Sequence, residues 1–95
     1  MIDFPAGLSP ETIDSINREA FNSVVKHGDH SMLNPEIPLG ERLAILVEEV
    51  GEVATAMNYD QGGKREDLRK ELLQVAAMAA SWAQVMGDER YTNRV

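Results

Sequence analysis

Cysteine is absent from this chain of 95 residues. That removes disulfides and thiolate metal sites from the possible sources of stability or chemistry. Basic residues are scarce: nine Lys and Arg stand against sixteen Asp and Glu, a net charge of −7. A nucleic-acid polymer needs clustered cations along one face, so the balance argues against such a partner. It argues equally against anionic membrane surfaces. Long apolar runs are also missing. The longest weakly polar stretch, residues 75–83, falls far short of the roughly 18–20 residues a membrane span needs. Residues 1–8 contain Asp3 and Pro5 but neither a basic segment nor an apolar core, so they do not read as a secretory signal. The expected compartment is the cytoplasm. No Ser-His-Asp constellation, nucleophile elbow or P-loop occurs, which sets aside acyl transfer and phosphate cradling by a glycine loop.

What is present reads as helix. The expected architecture is one all-α domain over residues 1–95, a bundle of three main helices plus a short C-terminal segment. A chain this short buries only about 60–65% of its unfolded surface, so completion by oligomerisation, as a dimer or tetramer, is expected. The first helix opens at Ser9-Pro10, an N-cap followed by a residue that needs no amide donor. Ile13, Ile16, Ala20, Phe21 and Val24 follow at helical spacing, and Gly28 supplies a stop. Residues 28–38 read as a loop rich in turn formers. The second helix is predicted over 39–58, with an apolar seam of Leu39, Leu43, Leu46, Val50, Val53 and Met57. Gly51 inside it predicts close packing against another backbone. After a turn at 60–63, the third helix is predicted over 66–86. Its seam is Leu68, Leu72, Val75, Ala79, Trp82 and Met86, beside a small-residue face of Ala76, Ala77, Ala80 and Ala83. Trp82 and the methionines at 32, 57, 78 and 86 read as core or interface residues.

The carboxylates break this pattern. At about 100° per residue, Glu49 and Glu52 share a direction with Ile45 and Ala56, on a face that should pack. Glu71 likewise shares a direction with Val75, Met78 and Trp82, with Gln74 one step round. Like charges held together away from water are costly and call for compensation. A cation between the helices supplies it, and an all-oxygen donor set favours Mg²⁺ or Mn²⁺ over zinc or copper. The alternative is a solvated acidic edge, with Glu48 and Glu49 paired to Arg42, Arg69 or Lys70.

Arg42-Leu43-Ala44-Ile45-Leu46, followed by Glu48-Glu49-Val50-Gly51-Glu52, resembles the first motif of the MazG-type all-α nucleoside triphosphate pyrophosphohydrolases. That family carries E-E-x-x-E on one helix and E-x-x-D on the next, and Glu71 follows Glu52 by nineteen positions. The resemblance spans about residues 21–86. It implies that Glu49, Glu52 and Glu71 bind Mg²⁺, for which Mn²⁺ can substitute, and that Glu48 is a further acid acting as ligand or water orienter beside Glu49. Gln74 stands where the motif has Asp and offers a neutral carbonyl oxygen, a poorer ligand. The implied activity cleaves a nucleoside triphosphate between its α and β phosphates, giving the monophosphate and pyrophosphate. A catalytically weakened nucleotide- or metal-binding module of the same fold is the alternative, and a purely structural helical protein is a further one. For Lys64, Arg65, Arg69 and Lys70 the open choices are a grip on the β and γ phosphates or a solvated, ion-paired helix turn. His27 and His30 have no regular metal-ligand spacing. Related sequences place the loop after the first helix near the nucleotide, which suggests that these histidines touch substrate.

Overall fold

The computed structural model describes residues 5–58 and 65–88, and all the described elements are helical. The first helix, α1, spans Pro10–His27. A single 3-10 turn, Gly28–His30, follows it, and an irregular segment then leads to α2, Leu39–Asn58. The third helix, α3, spans Arg65–Met86. Both α1 and α2 pack on α3. No helix among the described residues is long and apolar enough to cross a membrane.

The ends of α1 form as the sequence dictates. The Ser9 hydroxyl oxygen accepts from the Thr12 amide at 3.1 Å, and Pro10 opens the helix. Gly28 closes it at φ 56°, donating its amide to the Val24 carbonyl. That left-handed conformation is strained for any residue with a Cβ.

The core is small. Met32, Ala77 and Met78 are buried together, with Ile16, Ala20, Ile45, Leu46 and Trp82 packed around them. Trp82, Met32 and Met78 thus take the core positions expected of them. The predicted seams are only half right. On α2, Leu46 and Val53 turn inward, whereas Leu43, Val50 and Met57 are exposed. On α3, Ala77, Met78, Ser81 and Val85 are buried, and Leu72, Ala79 and Met86 face out. Phe21 on α1 is 66% exposed. The reason is geometric. Small Ala77 and Ser81 let the helices approach, so the line of closest packing runs along them rather than along the largest side chains. The predicted turn at 60–63 and the C-terminal segment after Asp88 lie outside the described residues.

The segment between the 3-10 turn and α2 is not a loose surface loop. Ser31, Met32 and Ile37 are buried. Asn34 donates its side-chain amide to the Asp29 carbonyl at 2.6 Å and accepts from the Glu36 amide at 3.0 Å. Arg42, fully buried on α2, holds the segment from below. Its Nε donates to the Ile37 carbonyl at 3.0 Å, its Nη1 to the Met32 carbonyl at 2.6 Å, and its Nη2 to the Asn34 carbonyl. The planar fork of guanidinium donors satisfies three backbone acceptors at once. The sequence offered Arg42 as a partner for the acidic edge of α2, but its guanidinium is committed to this segment.

Candidate metal and phosphate site

Glu49 and Glu52 lie about one turn apart on α2, on the face that meets α3, and Glu71 projects from the first half of α3. One carboxylate oxygen from each of Glu49, Glu52 and Glu71 can be chosen so that all three lie within 4.8 Å of one another. Glu49 and Glu71 are partly buried and Glu52 is exposed, so the group sits at the mouth of the helix interface. Burial is the first cause that raises the Glu49 carboxyl above its ordinary value, followed by the charges of Glu52 and Glu71. Glu71 is raised in the same way by burial and then by Glu52, while Lys70 pulls it down. With its amide turned to donate, Gln74 Nε2 lies 3.1 Å from Glu71 Oε2 and 3.3 Å from Glu49 Oε2. Gln74 thus bridges two of the three acids as a hydrogen-bond donor. The carbonyl oxygen expected of it as a ligand faces the other way in this arrangement.

Glu49 and Glu52, but not Glu71, line a cleft of about 370 Å³. Glu48, Glu49, Glu52 and Gln74 form the acidic side, and Met32, Ile45 and Met78 form an apolar floor. The α1 side comes from Glu19, Asn22, Ser23, Lys26 and His27, so it brings an acid as well as a base, and His30 and Glu41 also line the cleft. His30 Nδ1 is 4.0 Å from Glu41 Oε1, and its ring is largely exposed.

His27 and His30 therefore line the same cleft as the acids, as does Glu48. Arg69 and Lys70 stand exposed on α3 and are not among the lining residues, although Lys70 acts on Glu71 through its charge. Lys64 lies outside the described residues. Lys26 and Asn22 were missed from sequence. The signal that could have found Lys26 is its place in the last turn before the Gly28 stop, next to His27. Compared with family models, with curated proteins and with solved structures, the chain matches none. What the site can do therefore rests on its own chemistry.

Three carboxylates held together store repulsion, and the pH dependence has a definite sign. The native pKa values of Glu49 and Glu71 lie above the ordinary carboxylate value. Below that value the groups are protonated whether folded or unfolded, and the cluster costs nothing. As pH rises through the ordinary value and then the raised native one, stability is lost. Without divalent metal at pH 7, Glu52→Gln is expected to melt about 3 °C above the parent protein. The gap should close near pH 4. Mg²⁺ should raise the parent melting temperature in a concentration-dependent way and leave the variant nearly unmoved. Thermal scans with chelator and with Mg²⁺ at both pH values test this, and a variant that melts below the parent at pH 7 contradicts it.

Proposed function

We propose that this protein is a Mg²⁺-dependent nucleoside triphosphate pyrophosphohydrolase of the MazG type, acting in the cytoplasm as a homo-oligomer. It cleaves the bond between the α and β phosphates and yields a nucleoside monophosphate and pyrophosphate. The observation that supports this most is the convergence of Glu49, Glu52 and Glu71 within 4.8 Å, with Glu49 and Glu52 lining a cleft. Three hard oxygen donors suit Mg²⁺, with Mn²⁺ as a substitute. Glu49, Glu52 and Glu71 would hold the ion, which would supply charge screening for the phosphates and Lewis acidity. Glu48, exposed on the cleft lining, or Glu49 would act as the carboxylate base that takes the proton of the attacking water. Gln74 orients Glu49 and Glu71 through its amide. Lys26 faces these acids across the cleft and supplies positive charge to the polyphosphate, with His27 and His30 beside it. The apolar floor of Met32, Ile45 and Met78 suits a nucleobase.

A second reading has one observation in its favour. Gln74 brings an amide, not a fourth carboxylate, to the cluster. A nucleotide- or metal-binding module with weakened catalysis accommodates that substitution. Pyrophosphate release from a panel of canonical and modified ribo- and deoxyribonucleoside triphosphates, with Mg²⁺, Mn²⁺ or chelator, separates the two. Metal-dependent release from one or a few substrates is the expected result. Silence from folded protein across the whole panel contradicts hydrolysis and leaves the binding module.

A further inference from the structure

Gln74 stands among three acids and is itself uncharged. Its amide carries two hydrogens, and each has an acidic acceptor: Nε2 lies 3.1 Å from Glu71 Oε2 and 3.3 Å from Glu49 Oε2. The amide therefore bridges one carboxylate oxygen of α2 and one of α3. Turned the other way, its carbonyl oxygen meets the same two acceptors with no hydrogen between them, which is repulsive. Gln74 is half-buried, and Ala77 and Met78 about one turn further along α3 are buried. The amide is thus carried on the packed part of the helix.

The spacing of the acids suits one ion. Mg²⁺ takes oxygen ligands at about 2.1 Å in a near-octahedral shell, so two ligands of one ion lie about 3–4 Å apart. One oxygen from each of Glu49, Glu52 and Glu71 falls within a span of 4.8 Å, close to that of a single shell. Two ions held about 3.5–4 Å apart need carboxylates that bridge them, with both oxygens of each engaged. Glu49 and Glu71 each already give one oxygen to the Gln74 amide. The amide nitrogen lies between the two oxygens that a second cation needs, and it brings only the partial charge of its hydrogens. The charge balance agrees. One divalent ion offsets two of the three negative charges, and the two N–H donors share what is left.

We propose that Gln74 holds this site to a single divalent ion per chain: its amide fixes Glu49 and Glu71 around the first ion and occupies the place of a second. Gln74 is then a positioning residue and not a ligand. This rests on the proposed metal site and narrows its chemistry. A one-ion site leaves the remaining polyphosphate charge to side chains such as Lys26, which lines the same cleft as Glu49 and Glu52.

Mn²⁺ titration of the full chain, followed by electron paramagnetic resonance, counts the ions and reports whether they are neighbours. The parent is expected to bind one Mn²⁺ per chain, with the spectrum of an isolated ion. Gln74→Glu keeps the length of the side chain and replaces the amide with a fourth carboxylate. It should bind two Mn²⁺ per chain, with the spectrum of a magnetically coupled pair. Gln74→Met removes the donor without adding charge. It should still bind one ion, with affinity lowered about 10-fold or more, the usual cost of losing a hydrogen-bond partner of a metal ligand. Circular dichroism checks that each variant is helical before titration. If the added charge unfolds Gln74→Glu, the parent count and Gln74→Met still decide the matter. Two coupled ions in the parent, a folded Gln74→Glu that stays at one, or Gln74→Met at parental affinity overturns this inference and leaves the metal site standing. A folded parent that takes up no Mn²⁺ overturns the functional reading, and this inference with it. One bound ion without pyrophosphate release supports this inference and counts against hydrolysis.

Discussion

Replacing Arg42 with methionine is expected to cost about 3–5 kcal/mol of folding stability, although methionine fills much of the same volume. Arg42 is fully buried and donates to the carbonyls of Met32, Asn34 and Ile37. Without the guanidinium those three acceptors lose a charged donor, and each buried carbonyl left without a partner costs about 1–3 kcal/mol. Arg42→Lys should recover little, because one ammonium cannot reach three carbonyls arranged around a planar fork. A small domain has only about 5–10 kcal/mol of net stability, so the melting temperature should drop by about 15 °C or more. The effect should reach the cleft as well. The segment that Arg42 holds carries Met32 into the core and the cleft floor, directly after His30. Thermal or urea unfolding of Arg42→Met checks the claim, and a loss under about 1 kcal/mol contradicts the clamp.

Glu52→Gln is expected to cut pyrophosphate release by at least about 100-fold while leaving the helices intact. Glu52 is exposed and touches both partners in the cluster electrostatically. A glutamine there keeps the size and loses the charge. The combination is diagnostic: a residue whose removal abolishes turnover and raises metal-free stability serves function rather than folding. Steady-state rates of the variant beside circular dichroism and melting curves measure both sides. A variant with full activity, or one that is inactive because it has unfolded, contradicts the assignment of Glu52.

The parts of this molecule legible in sequence are those with a local cause. Ser9, Pro10 and Gly28 define α1 because capping depends on the chain a few residues either side. Glu49, Glu52 and Glu71 were visible because charge on a packing face conflicts with helical periodicity, and that conflict needs no knowledge of the partner helix. What escaped depends on contacts between distant segments. Arg42 also lies on the inward side of α2, but nothing local shows that carbonyls from Met32, Asn34 and Ile37 turn back toward it. Lys26 became a cleft residue only when α1 was packed on α3. Helical periodicity favours seams through the largest side chains, whereas small Ala77 and Ser81 are the residues buried on α3. Gly51 was expected to meet a neighbouring backbone, and no described residue comes within 4 Å of a Cβ built there.

The central claim is that the carboxylates of α2 and α3 serve metal-dependent cleavage between the α and β phosphates. Phosphorus NMR of the products made from a cleaved nucleoside triphosphate, with Mg²⁺ and again with chelator, tests it most directly. The account predicts nucleoside monophosphate and pyrophosphate in equal amounts with Mg²⁺, and no turnover with chelator or with Glu52→Gln. Orthophosphate with a nucleoside diphosphate, or turnover unaffected by chelator, would contradict it.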